Sequence, residues 1–203
     1  MLFIMCPNVF DYIYEKEHQS PWTFTEPPEQ LVDFMEDIKP CRVLDVGCGE
    51  GYISIYLASK GFNVTGIDIS GNAVRLAKKH AQEVGIKCKF LRLDWKDIGS
   101  LPKFDFIIDW RFLHEITDID QRKKYVELVS KSLTSKGIYL SVAFSGSGKR
   151  KSPMGIELYA ASDADLEKLF KPHFKILRKD HFRLPQKGVR GGVKSYLFFM
   201  HRK

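Results

Sequence analysis

The residues with the clearest chemical potential form the run Val43-Leu44-Asp45-Val46-Gly47-Cys48-Gly49-Glu50-Gly51, in which an apolar stretch gives way to glycines spaced G-x-G-x-G. Glycine lets the chain turn sharply and brings its amides up to a ligand with no Cβ in the way. Dinucleotide-binding proteins use a similar strand-to-helix loop, but with G-x-G-x-x-G spacing and a pyrophosphate against the amides. Here Asp45 stands inside the strand just before the glycines. A carboxylate there repels a pyrophosphate and suits an ammonium group, directly or through water. Capping of the loop's own amides is the other role open to it.

Two further acids follow at strand ends. Asp68, in Val64-Thr65-Gly66-Ile67-Asp68-Ile69, falls twenty-one residues after Gly47, where such folds place the acid that accepts from both ribose hydroxyls. Asp94, before Trp95, is either a turn residue or an acceptor for an adenine amino group that Trp95 covers. The candidate ligand set on this side is Asp45, Gly47, Cys48, Gly49, Gly51, Asp68, Ile69, Asp94 and Trp95. Beyond it lies Asp109-Trp110-Arg111-Phe112-Leu113-His114-Glu115-Ile116. His114 is a candidate base for a thiol or hydroxyl proton, or a helix cap. Arg111 and Arg122 are candidate partners for a substrate anion, and Arg122 could instead bridge Asp118 or Asp120.

These residues need a scaffold, and the pattern supplies one. Short β-branched or aromatic runs alternate with amphipathic stretches, the signature of parallel strands joined by helical crossovers. Strands are expected at 42–46, 62–67, 87–93, 104–109 and 137–144, and helices at about 52–59, 72–83 and 121–132. Ser145 to Pro153 is rich in Ser, Gly and Lys and reads as a flexible lid loop. A helix opens at Ser162, whose spacing to Asp165 is that of a capping box. Strands at 174–178 and 193–201 suggest a closing hairpin around the turn-rich Pro185 to Gly192. Short helices are expected around Phe10 to Tyr14 and from Glu29 to Ile38.

Composition narrows the classes. With 203 residues, 44% of them apolar, the chain suits a single domain: an N-terminal helical segment over 1–40, a binding core over 41–144, and a lid loop, helix and hairpin over 145–203. Cys6, Cys41, Cys48 and Cys88 lie far apart without a C-x-x-C pair, which argues against a disulfide framework or a metal site and for a reducing cytoplasm. No apolar run is long enough for a membrane span. The formal charge of +7 is uneven, with 14 Lys and Arg against 5 Asp and Glu from Phe144 onward. That excess is either a solvated surface or an attraction for an anionic substrate or nucleic acid.

Taken in order, VLDVGCGEG, VTGIDIS, LRLDW and FDFIIDWRFLHEI resemble the class I S-adenosylmethionine-dependent methyltransferases. The resemblance implies an α/β, Rossmann-like domain with a seven-stranded, mostly parallel sheet, an antiparallel last strand and helices on both faces. S-adenosylmethionine is then the expected cofactor, across the carboxyl ends of the first strands. Pro21-Trp22, Pro27, the stretch from Asp109 to Ile116 and Arg122-x-x-Tyr125 look most like the thiopurine, thiol and tellurite methyltransferase group, although Trp110 stands where those members carry an arginine. Asp109 and Trp110 join the cofactor set through this resemblance, and Trp22, Trp95 and Trp110 are candidate aromatic walls for a sulfonium cation. The expected activity is methyl transfer to a small-molecule thiol or other heteroatom nucleophile, with Arg111 and His114 on the substrate side. An RNA or protein methyltransferase and a non-catalytic cofactor-binding module are the alternatives.

Overall fold

The computed structural model describes residues 9–15, 20, 23, 26–152, 155–186 and 188–203. Within it the chain forms two compact units, up to Trp95 and from Lys96 onward.

In the first unit, α1 (Val9–Ile13) and α2 (Glu29–Met35) precede three parallel strands, β1 (Arg42–Val46), β2 (Asn63–Asp68) and β3 (Lys89–Arg92). Register runs from Arg42 opposite Asn63 to Val46 opposite Ile67, and from Thr65 opposite Lys89 to Asp68 opposite Arg92. The crossovers are α3 (Tyr52–Ser59) and α4 (Gly71–Glu83). Ser70 caps α4 by accepting from the Ala73 amide at 3.1 Å, and Val74, Ala77 and Ala81 press the helix onto Phe90 of β3. A fully buried side chain such as Val74 contributes roughly 1.5–3 kcal/mol. Phe90 also fills the space a Cβ would need at Gly51 and Gly66, approaching those positions to 2.9 Å and 2.8 Å.

The second unit holds parallel β4 (Phe104–Trp110) and β5 (Leu133–Phe144), joined through α5 (Ile119–Ser132), then β6 (Gly148–Lys151), β7 (Glu157–Ala160), α6 (Asp163–Phe170), β8 (Phe174–Leu184) and β9 (Val193–Arg202). β9 pairs antiparallel with both β5 and β8. Tyr139, Phe170, Phe174 and Phe198 pack edge to face or tilted, 5.2–5.8 Å between centroids. The N-cap half of the expected capping box is present: the Asp165 amide donates to Ser162 Oγ at 3.1 Å, and the Ser162 hydroxyl donates to the Asp165 carboxylate at 2.6 Å.

The sheet order is β3-β2-β1-β4-β5-β9-β8. This is the expected Rossmann-like α/β fold, seven-stranded and mostly parallel, with an antiparallel last strand and helices flanking both faces. One segment departs from expectation. Residues 148–151 are not a free lid but β6, paired antiparallel with β7 from Gly148–Ala160 to Lys151–Glu157. Backbone bonds, a Lys149–Glu157 ion pair at 2.8 Å and the buried Leu158 and Ala160 hold the hairpin without the apolar alternation that would have announced it. β5 also starts earlier than expected, at Leu133, because its register shifts past β4 between Phe104 and Phe106. Leu133 therefore belongs to a strand directly after α5.

Candidate active site

The glycine loop follows β1 as its spacing predicts. Gly47, Gly49 and Gly51 all have positive φ, and Gly51 is the N-cap of α3. The Gly47 and Cys48 amides both donate to the Ile67 carbonyl at 2.9 Å, locking the turn to the end of β2. The Gly49 amide donates to Asp68 Oδ2 and the Ser70 amide to Asp68 Oδ1, each at 2.9 Å. Both carboxylate oxygens are thereby oriented by backbone amides. Ile69 follows with its side chain exposed. Asp94 lies just past β3, and Trp95 opens the 3-10 turn Trp95–Ser100; both are half-buried.

Asp45 is buried beneath the loop, where Ser54 Oγ donates to Oδ2 at 2.6 Å. Burial pushes its carboxyl up to about 7, with the Asp68 charge adding and Ser54 opposing. It is thus poised to ionise in response to a nearby cation. Burial likewise pushes the Cys48 thiol well above its ordinary range, helped by Asp68 and Asp45, which disfavours the thiolate.

Several contributors have no sequence signal. A Cβ at Gly49 would come within 2.8 Å of the Tyr14 hydroxyl, so α1 reaches the loop. Asp11 of α1 accepts from Ser70 Oγ at 2.7 Å and from the Asn72 amide at 3.1 Å. Thr23 Oγ1 donates to Glu50 at 2.7 Å, and His80 Nδ1 lies 3.0 Å from the Glu50 carbonyl. These are contacts across 27 to 61 residues, which local spacing cannot reveal. Trp22 and Pro21 lie outside the described residues.

In the second unit Asp109 is fully buried and accepts from Tyr125 at 2.8 Å, from Ser141 at 2.7 Å and from Tyr139. Burial pushes its carboxyl up to about 7 against those three donors. Trp110 is buried 6.2 Å from the Phe182 ring, and its Nε1 has no hydrogen-bond partner among the described residues. Arg111 alone among the described non-glycine residues has positive φ, +70°. Its guanidinium stacks over Phe144 at 4.9 Å and donates to Gln186 at 2.6 Å. Strained backbone of this kind clusters at functional sites.

His114 sits in the 3-10 turn Leu113–Glu115, not at the start of α5. It is 2% exposed, stacked on Phe144 with centroids 3.7 Å apart, and its Nε2 is 3.4 Å from Glu115. Burial holds it below the ordinary imidazole range; Glu115 opposes this, while Arg111 and Arg122 add to it. Glu115 offers only acceptor oxygens when ionised, which assigns the single proton to Nε2 and leaves Nδ1 a lone pair. Nδ1 has no partner among the described residues. Arg122 bridges neither Asp118 nor Asp120 but points inward, while Asp118 caps α5 and Asp120 pairs with Lys123.

Residues 38–180 match the family described as a methyltransferase domain. The chain belongs to this family, and its fold is that of the class I S-adenosylmethionine-dependent methyltransferases. The ubiquinone biosynthesis O-methyltransferase of Rickettsia canadensis (strain McKiel) is 32% identical over 93 residues, covering 46% of this chain and 39% of that protein. The chain thus spans less than half the length of this curated relative. A solved structure from work on conversion of a disulfide bond into a thioacetal group during echinomycin biosynthesis superimposes with TM-score 0.76 at 22% identity, covering 96% of this chain and 92% of that one. TehB from Haemophilus influenzae gives TM-score 0.74 at 20% identity over 95% of this chain and 66% of its own. No helix among the described residues is long and apolar enough to cross a membrane.

Proposed function

We propose that the chain transfers the methyl group of S-adenosylmethionine to a thiol or hydroxyl of a small molecule, with the first unit binding the cofactor and His114 taking the acceptor's proton. The observation that carries the cofactor assignment is Asp68, whose two oxygens are aimed by the Gly49 and Ser70 amides at the end of β2, where such folds hold a ribose. Asp45 supplies a buried counter-charge for the amino acid end, and Ile69, Asp94 and Trp95 are assigned to the base.

The reaction breaks the sulfonium carbon–sulfur bond, forms the bond from carbon to the acceptor heteroatom, and leaves a neutral thioether. Alignment and exclusion of water dominate such a displacement. The acceptor's proton goes to His114 Nδ1, the nitrogen left with its lone pair by the Glu115 contact. Arg111, strained and held by Gln186, is assigned to an anionic group on the acceptor.

The O-methyltransferase relative supports an oxygen acceptor and the thioacetal-forming structure a sulfur one, in keeping with a place near the thiopurine, thiol and tellurite group. A reducing cytoplasm suits Cys41, Cys48 and Cys88, none of which is in a disulfide among the described residues. The basic final third gives less support to an RNA substrate, because Lys149, Lys171, Arg178 and Lys179 are already held by Glu157, Glu167, Asp180 and Asp163.

The test is S-adenosylhomocysteine release across a panel of thiols, phenols, amines and RNA. A thiol or phenol should turn over, and His114→Ala should lower kcat by about a hundredfold while S-adenosylhomocysteine still binds by calorimetry. Undiminished turnover in that variant removes His114 as the base. Failure of the wild type to bind the nucleoside removes the whole reading.

A further inference from the structure

Arg122 of α5 is 1% exposed, yet its described hydrogen bonds go to three carbonyl oxygens. Nε donates to Ile116 at 2.7 Å, and Nη2 to Leu113 at 3.1 Å and Tyr159 at 3.0 Å. The guanidinium lies 4.3 Å from the centroid of the Tyr159 ring. Burial lowers its pKa to about 10, so it remains a cation at neutral pH. Placing a charge there costs several kcal/mol of desolvation, which a neutral side chain of similar volume would avoid.

Two of those carbonyls, Leu113 and Ile116, bracket His114 in sequence, and the third belongs to β7. The fork therefore ties the His114 turn to α5 on one side and to the β6–β7 hairpin on the other. A guanidinium holds such a planar, divergent set where a lysine ammonium cannot. Its charge also adds to the forces that keep His114 neutral.

We infer that Arg122 is a positioning residue: its fork fixes the turn that carries His114 to α5 and to β7. The inference rests on the reading of His114 as the base, but only for its effect on turnover. The ionisable groups around the imidazole are Glu115 on its own turn, Arg111 before it and Arg122 from α5. β5 adds Phe144, which has no proton to lose, while the nearest groups of β7 are engaged elsewhere, Tyr159 under Arg122 and Glu157 with Lys149.

The experiment combines imidazole 15N shifts, which report where His114 carries its proton and at what pH it gains another, with kcat and KM for an acceptor found by the panel. Arg122→Gln should raise the pH at which His114 gains its second proton and lower kcat about tenfold through misalignment, with KM within about twofold. Arg122→Lys keeps the charge and loses the fork, so the protonation pH should stay near that of the native protein while kcat falls. Tyr159→Leu removes only the ring under the guanidinium and should show the kcat loss in smaller degree; it serves if the Arg122 variants do not fold. Variants that melt earlier but leave both the 15N titration and kcat unchanged would overturn the inference. Should His114→Ala retain full turnover, a change in the imidazole 15N shifts of the Arg122 variants still decides whether Arg122 holds the turn.

Discussion

Asp68 and Asp109 close parallel strands with the same Ile-Asp step, one at the end of β2 and the other near the end of β4, yet they occupy opposite chemical situations. Asp68 is half-buried and oriented by two backbone amides. Asp109 is fully buried among two tyrosines and a serine, which consume its oxygens. The difference is the source of the donors. Amides from the glycine loop and the start of α4 orient a carboxylate that stays half-buried, whereas hydroxyls from α5 and β5 sew one into the core. An acid at a strand's carboxyl end is thus proposed as a binding residue in the first case and is, through Tyr125, a brace for α5 in the second.

The largest test of this contrast is Asp109→Ala. It strands three buried hydroxyls and should cost about 3 kcal/mol of stability in urea unfolding, while leaving affinity for S-adenosylhomocysteine unchanged once folded. Asp68→Ala should do the reverse, weakening that affinity by about 1–3 kcal/mol in calorimetry through loss of charge-assisted bonds and moving the melting point little. If the two variants exchange phenotypes, the contrast is wrong.

A smaller effect is in pH. Burial raises the Asp109 carboxyl to about 7 from 3.8, so the fold binds that proton more tightly than the unfolded chain. Its contribution to stability is complete below about pH 4 and declines as pH climbs to about 7. Asp109→Asn should flatten part of that decline in denaturation series across the interval; an unaltered slope would mean that the carboxyl ionises as freely folded as unfolded. Smallest is Gly49→Ala. Its φ of +53° and the nearby Tyr14 hydroxyl should cost about 1 kcal/mol of thermal stability, with a loss of cofactor affinity that the Asp109 side does not share.

Where chemistry follows from a contiguous run, the chain could be read in advance. β1 and α3 have the bounds expected from Val43-Leu44-Asp45-Val46 and from the apolar face after Gly51, because a buried strand and a glycine turn are both local signals. The Ser162 cap was equally legible. β6 was not, since Gly-Lys-Arg-Lys pairs through its backbone and shows no apolar alternation. The inward turn of Arg122, the Tyr14 approach to Gly49 and the tautomer of His114 depend on partners that only the folded chain supplies.

Gly51 illustrates a constraint imposed from behind. A methyl group there would collide with Ala77 Cβ at 2.8 Å and with the Phe90 ring at 2.9 Å, on the side where α4 meets β3. A descendant of this chain that had abandoned catalysis altogether would still be obliged to keep that glycine in order to fold. Its persistence among homologues would therefore record architecture and carry no information about what they methylate.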